Sequence, residues 1–188
     1  MKVITDEKNY TGVGTVLALG MFDGVHLGHR ALIRRAVSLA HEKKLDAMVC
    51  TFDQHPMRVI RPDAAPEMLM TVEERLAAFS ALGADWALVK PFTKALMNID
   101  AEEYLENLVS ATRARAVVVG ENYTFGRLGL GTSRMIRERA SALGYEPVVV
   151  KSVKRGGDVV SSTLIRRLLT SGQAERAARL LGRTGETK

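Results

Sequence analysis

Cysteine occurs once in this 188-residue chain, at Cys50, inside the apolar run Ala47-Met48-Val49-Cys50. A single thiol excludes an internal disulfide framework and a cysteine-based zinc site. Its apolar neighbours assign it to a core. Long hydrophobic runs are also missing, and nothing approaches the ~20 apolar residues that a membrane-spanning helix needs. The opening Met1-Lys2-Val3-Ile4-Thr5-Asp6-Glu7 lacks the apolar stretch of a secretion signal. The expectation is a cytoplasmic protein with no membrane partner. Aromatic residues make up 5% of the chain, and there is no long basic run and no RNA-binding signature, which argues against nucleic acid. Internal repeats and low-complexity segments are absent, and no obligate protein partner is evident.

What is present suits one α/β domain spanning residues 1–188. Apolar residues account for 46% of the chain and charged residues for 26%, enough to build a core without covalent staples. The net charge of +6 is unevenly placed. Residues 151–188 hold nine of the 27 Lys/Arg and three of the 21 Asp/Glu, while the first 150 residues balance at 18 of each sign. These C-terminal cations are either a solvated helix face or a surface that meets phosphate.

Apolar runs at residues 16–19, 47–49 and 116–119 read as strands buried on both faces. Residues 85–90 and 146–151 read as two more. Helical periodicity marks residues 31–43, and a Thr71-x-x-Glu74 capping box opens a helix to residue 82. Further helices fall at 100–111, 132–143, 161–169 and 173–181. The alternation predicts a parallel sheet of about five strands with helices on both faces and right-handed crossovers. The C-terminal helices, about 161–182, should pack on it. Residues 53–70 form a long connection holding Pro56, Pro62 and Pro66, and loops of that length are often functional. Ligands of such sheets bind beyond the carboxyl ends of the strands. Residues 20–29, 51–56 and 120–126 all fall there.

The first of these, Gly20-Met21-Phe22-Asp23-Gly24-Val25-His26-Leu27-Gly28-His29, is a strand–turn–helix junction. Free N–H groups and the positive end of a helix dipole favour an anion there. The glycines allow a backbone to approach a ligand closely. The turn is neither a G-x-G-x-x-G fingerprint nor a lysine-bearing nucleotide loop. Its cations would be His26 and His29, which can donate to phosphate oxygens and which a phosphate would push toward their charged form. A metal reading of the pair lacks a third ligand. Ser161-Ser162-Thr163-Leu164-Ile165-Arg166 offers the same chemistry elsewhere. Its hydroxyls sit beside free N–H groups at a helix start, with an arginine fork one turn in.

Phe22-Asp23-Gly24-Val25-His26-Leu27-Gly28-His29 resembles the H-x-G-H signature of the nucleotidyltransferase superfamily. In this form it is similar to the FMN adenylyltransferase (FAD synthetase) module of bacterial bifunctional riboflavin kinase/FMN adenylyltransferases. Four further blocks match that family in its order. They are Thr51-Phe52-Asp53-Gln54-His55-Pro56, Gly120-Glu121-Asn122-Tyr123-Thr124-Phe125-Gly126, Ser161 to Arg166, and Leu180-Leu181-Gly182-Arg183. Two departures stand out. Gln54 occupies a position where proline is more usual, and residues 127–131 carry less charge than in most members.

The resemblance implies a Rossmann-like nucleotidyltransferase fold and transfer of AMP from ATP to FMN, giving FAD and pyrophosphate by in-line attack without a covalent protein intermediate. It implies catalytic roles for His26, His29, Ser162 and Arg166. It implies ATP contacts at Gly20, Phe22, Asp23, Gly24, Gly28, His29, Ser161, Thr163 and Arg166. FMN would meet Phe52, His55, Pro56, Asn122, Thr124 and Phe125, with Tyr104 a further aromatic candidate. Mg²⁺ would be held through substrate phosphates, with no protein ligand assigned to it. His29→Ala and Arg166→Ala would lower turnover with little loss of stability. No riboflavin kinase activity is expected of this chain. Two alternatives remain: a nucleotidyltransferase with another phosphorylated acceptor, and a non-catalytic flavin- or nucleotide-binding protein.

Overall fold

Burial explains which runs became strands. In the computed structural model, which describes residues 1–183, β1 (Lys2–Ile4) is a short edge strand, whereas β2 (Thr15–Leu19) is buried at every position. After β2 the chain forms α1 (Leu27–Lys43), β3 (Asp46–Phe52), the single turn α2 (Met57–Ile60) and α3 (Val72–Ala81). The next elements are β4 (Trp86–Lys90), α4 (Lys94–Met97), α5 (Ala101–Ala111) and β5 (Ala114–Gly120). A small hairpin, β6 (Thr124–Phe125) with β7 (Gly131–Thr132), leads to α6 (Ser133–Leu143) and β8 (Glu146–Val150). A second hairpin, β9 (Lys154–Arg155) with β10 (Asp158–Val159), precedes α7 (Ser162–Thr170) and α8 (Ala174–Leu181).

The main sheet runs β1-β4-β3-β2-β5-β8, with every neighbouring pair parallel. The sixth strand, β1, exceeds the expected count because three residues carry too little pattern to read. Successive strand side chains face opposite helical layers. Leu17, Leu19, Met48, Cys50, Val117 and Val119 pack against α5 and α6 through Leu105, Leu108 and Ile136. Val16, Ala18, Val49 and Val118 pack on the other face against Ile33 and Ala36 of α1 and Phe79 of α3. The Thr71–Glu74 capping box forms as expected, with both of its hydrogen bonds. No helix among the described residues is long and apolar enough to cross a membrane.

Two features of the fold place the site. Strand order reverses beside β2, which pairs with β3 on one side and β5 on the other. The connections leaving β2 and β5 therefore diverge, opening a crevice at their carboxyl ends. The C-terminal helices also dock over this crevice. Leu164, Ile165, Leu168, Leu180 and Leu181 form a separate cluster with Leu27 of α1 and Leu69 of the long connection.

Candidate active site

The turn after β2 is held in an unusual backbone shape. Phe22 (φ 52°) and Val25 (φ 37°) lie in the left-handed region that L residues seldom adopt. Both side chains are buried, and that packing compensates the strain. The helix begins at Leu27, earlier than the periodicity predicted, because His26 acts as its N-cap. The Nδ1 of His26 accepts a hydrogen bond from the His29 N–H at 3.3 Å. Histidine is not among the usual capping residues, so the cap was invisible to sequence rules. The neutral His26 ring then carries its proton on Nε2, leaving that atom as a donor. The two rings stack with centroids 3.6 Å apart and 18° between planes.

Burial lowers the pKa of His26 to about 4 and holds His29 well below its ordinary value, with the charge of His26 adding to the effect on His29. In the ligand-free protein both rings are therefore neutral at pH 7. The Nδ1 of His29 is buried and has no hydrogen-bond partner among the described residues. An orphaned polar atom costs free energy, and a ligand that supplies a partner recovers it.

His26 and His29 line a cleft of about 340 Å³. Gly20, Phe22 and Gly28 line the same cleft, as do Ser161, Ser162 and Thr163 from the start of α7. The two blocks, remote in sequence, thus meet across one cavity. The other wall comes from the ends of β5 and β8, with Glu121, Asn122, Tyr123, Lys151 and Ser152. Asn122, assigned by resemblance to the flavin, stands in this cleft.

Other residues of the two blocks have structural duties. Asp23 is buried, and its Oδ1 accepts from the N–H groups of Leu69 (2.9 Å) and Met70 (3.2 Å). Its Oδ2 pairs with Arg166. Arg166 Nε also donates to the Glu67 carbonyl at 2.8 Å. Ser162 Oγ donates to the Asp23 carbonyl at 2.8 Å, and Ser161 Oγ caps α7 by accepting from Leu164 N–H. The glycines are required by protein atoms rather than by ligand approach alone. A Cβ on Gly20 would stand 2.9 Å from the Phe22 ring, and one on Gly24 would stand 2.9 Å from Leu69. Neither Asp23 nor Gly24 lines the cleft.

A second, larger cavity of about 550 Å³ is apolar. Phe52, Pro56, Tyr104, Thr124 and Phe125 line it, bringing together most of the residues expected of a flavin slot. Phe92 completes the aromatic wall, its ring perpendicular to Phe52 at 5.0 Å. Sequence reading missed Phe92 because it lies outside any matched block. Tyr123 borders both cavities and stacks on Phe125 at 5.5 Å. The Tyr104 hydroxyl is buried without a hydrogen-bond partner among the described residues. His55 is not in this lining. Its Nδ1 accepts from Met57 N–H at the start of α2, and burial foremost lowers its pKa.

Comparison with known proteins identifies the family and the fold. A family model described as FAD synthetase matches residues 9–164. A bifunctional riboflavin kinase/FMN adenylyltransferase of Listeria monocytogenes is 35% identical over 187 residues, which is 99% of this chain and 59% of that protein. The corresponding Bacillus subtilis protein is 31% identical over 169 residues, 89% of this chain and 53% of that one. A putative bifunctional riboflavin kinase/FMN adenylyltransferase of Geobacillus thermodenitrificans is 31% identical, with 97% of each chain covered. This chain thus spans between half and three-fifths of the length of the first two relatives. Among solved structures, a crystal structure described as a macrolide-efflux protein from Streptococcus pneumoniae superposes with a TM-score of 0.83 at 26% identity. That match covers 96% of this chain and 59% of the other.

Proposed function

The chain belongs to the FAD synthetase family, and from that premise we propose that it transfers AMP from ATP to FMN, giving FAD and pyrophosphate. The observation that carries the proposal is the pairing of a histidine-lined polar cleft with an apolar aromatic cavity across one shared residue, Tyr123. The cleft suits a nucleoside triphosphate. The cavity suits the isoalloxazine ring, a flat apolar body that aromatic walls bury well.

An FMN phosphate oxygen attacks the α-phosphorus of ATP. The new oxygen–phosphorus bond forms as the bond to the β-phosphate oxygen breaks, and that oxygen leaves on pyrophosphate. The acceptor is already anionic, so the protein needs no nucleophile of its own. Catalysis reduces to alignment and to stabilising charge on phosphoryl oxygens. His26 Nε2 and the His29 ring are the donors on one side of the cleft. On the other are the N–H groups at the start of α7 with the Ser161 and Thr163 hydroxyls, while the Ser162 hydroxyl spends its proton on the Asp23 carbonyl and holds the histidine turn against α7. Arg166 supplies positive charge close behind this row while anchored to Asp23.

Mg²⁺ enters with ATP as part of the substrate, where it neutralises phosphate charge. Among the described residues no cluster of three His, Cys, Asp or Glu could cage it. The Asp23 carboxylate is already bonded to two N–H groups and Arg166.

The test is incubation of the protein with FMN, ATP and Mg²⁺, with flavins separated by chromatography. FAD and pyrophosphate should appear in equal amounts. No FAD from demonstrably folded protein would overturn the proposal. Tight binding of both ligands without turnover would make this a binding protein. Turnover with a different phosphorylated acceptor would reassign the substrate.

A further inference from the structure

Arg75, on α3, is the largest fully buried side chain among the described residues, although its side chain carries a full charge. Among the described residues no carboxylate bonds to it. Instead its guanidinium donates to backbone and hydroxyl oxygens at the ends of two different strands. Nη1 donates to the Met21 carbonyl (3.1 Å) and to Thr51 Oγ1 (2.8 Å). Nη2 donates to the carbonyls of Phe52 (2.8 Å) and Asp53 (3.4 Å). Thr51 closes the triangle by donating its own hydroxyl to the Met21 carbonyl at 2.8 Å.

These partners belong to opposite walls of the site. Met21 lies in the histidine turn and lines the polar cleft. Phe52 lines the apolar cavity. The Asp53 carboxylate accepts from Phe92 N–H at 2.9 Å, so the second aromatic of the cavity hangs from the same segment. One rigid planar fork thus spans from the turn that faces the nucleotide to the segment that faces the flavin.

Burying a guanidinium this completely carries a large desolvation cost, which hydrogen bonds only partly offset. A hydrocarbon side chain would fill the space at lower cost. The position therefore calls for what only a planar, many-handed cation provides, namely several fixed bonds in one plane. We infer that Arg75 is a positioning residue that keeps the nucleotide wall and the flavin wall in register, so that the acceptor phosphate meets the α-phosphorus in line. This inference rests on the adenylyl-transfer reading.

That role has a particular kinetic signature. Each wall can still bind its own ligand when the brace is lost. The step that needs both ligands at once suffers, because small misplacements of reacting groups cost rate steeply. Arg75→Met should lower kcat by about 10- to 100-fold. Dissociation constants for FMN alone and for Mg·ATP alone, measured directly, should stay close to wild type. A purely structural loss reduces the folded fraction and leaves kcat per folded molecule unchanged. Ile136→Ala is the control for that, since Ile136 is fully buried in α6 and lines neither cavity.

The experiment measures FAD formation per folded molecule, FMN binding by flavin fluorescence and nucleotide binding by calorimetry for wild type, Arg75→Met, Thr51→Val and Ile136→Ala. Thr51→Val keeps the side-chain shape and removes one corner of the triangle. It should reduce kcat several-fold and decides the matter if Arg75→Met does not fold. A kcat loss in Arg75→Met no larger than in Ile136→Ala, or a wild-type kcat in Thr51→Val, overturns the inference while leaving the proposed reaction standing. Absence of FAD formation by the wild-type protein overturns the reaction itself and the inference with it.

Discussion

Arg166 donates to the buried carboxylate of Asp23, which ties the second turn of α7 to the histidine turn, although Arg166 itself does not line the polar cleft. The Asp23 side chain is 2% exposed and that of Arg166 20%. Removing the arginine would strand a buried carboxylate whose remaining partners are two N–H groups. The pairing therefore predicts a stability cost for Arg166→Ala, where the sequence led to the expectation of lower turnover with little loss of stability. Arg166→Ala should lose about 3 kcal/mol in urea denaturation, the lower end for breaking a buried pair. Turnover should fall in the same variant. A change in stability below about 0.5 kcal/mol, the range of an ordinary surface substitution, would mean the pair is open in solution.

His29 should separate rate from stability where Arg166 does not. Its ring stacks on His26 and meets the Phe22 ring edge-on at 5.3 Å, but its buried Nδ1 has no hydrogen-bond partner among the described residues. Truncation removes an unsatisfied group along with some packing, and the two partly cancel. His29→Ala should lower kcat by about 10²- to 10³-fold, as expected for loss of one transition-state donor. Thermal denaturation should shift by only a few degrees. Retention of full turnover would place the phosphates elsewhere.

The pH dependence of folding follows from the same rings. His26 titrates near 4 when folded and near 6.5 when unfolded. Between those values the unfolded ring binds a proton that the folded ring refuses, so stability rises with pH across the window. His26 alone contributes about 3 kcal/mol, fully present above pH 6.5 and lost as pH falls toward 4. His29 and, more weakly, His55 act in the same direction. The difference in stability between wild type and His26→Gln should accordingly grow from pH 4 to 6.5 and then level off. A difference independent of pH would mean that His26 is solvated in the native state.

The architecture was legible because buried parallel strands are short apolar runs, and β2, β3 and β5 have little else in them. Helix ends announced by Thr71, Asp100 and Ser161 were legible because short polar side chains cap by a local rule. The cap at His26 follows no such rule, and neither did the start of α1. The two-residue strands of both hairpins were too short to show a period. Within the site, residues on matched blocks were found, although the duties of Asp23 and Ser162 within the fold were not. Phe92 and Arg75 were missed for a different reason. Each acts through long-range contacts, and an arginine in an amphipathic helix looks like a surface residue until its burial is known.

Gly126 supplies a prediction confined to the flavin side. Its backbone sits at φ 71° and ψ −176°, a region open essentially to glycine alone. A Cβ there would stand 2.4 Å from the Cα of Ala101, the first residue of α5, which cannot give way as a flexible side chain could. The following residue is tied to the same place, since Arg127 N–H donates to the Ile99 carbonyl at 2.8 Å. Gly126→Ala must therefore lift residues 124–129 away from α5. Thr124, Phe125 and Leu128 of that segment line the apolar cavity and none of the three lines the polar cleft. Strain of about 1–3 kcal/mol relieved by such a shift corresponds to roughly 5- to 150-fold weaker FMN binding. Nucleotide binding should change far less, because the cleft is built from β2 and the turn after it, α1, β5, β8 and α7, and shares only Tyr123 with the apolar cavity. Titration of FMN by fluorescence and of Mg·ATP by calorimetry distinguishes the two. Equal weakening of both ligands would mean that the cavities are not separable and that the apolar one does not hold the flavin by itself.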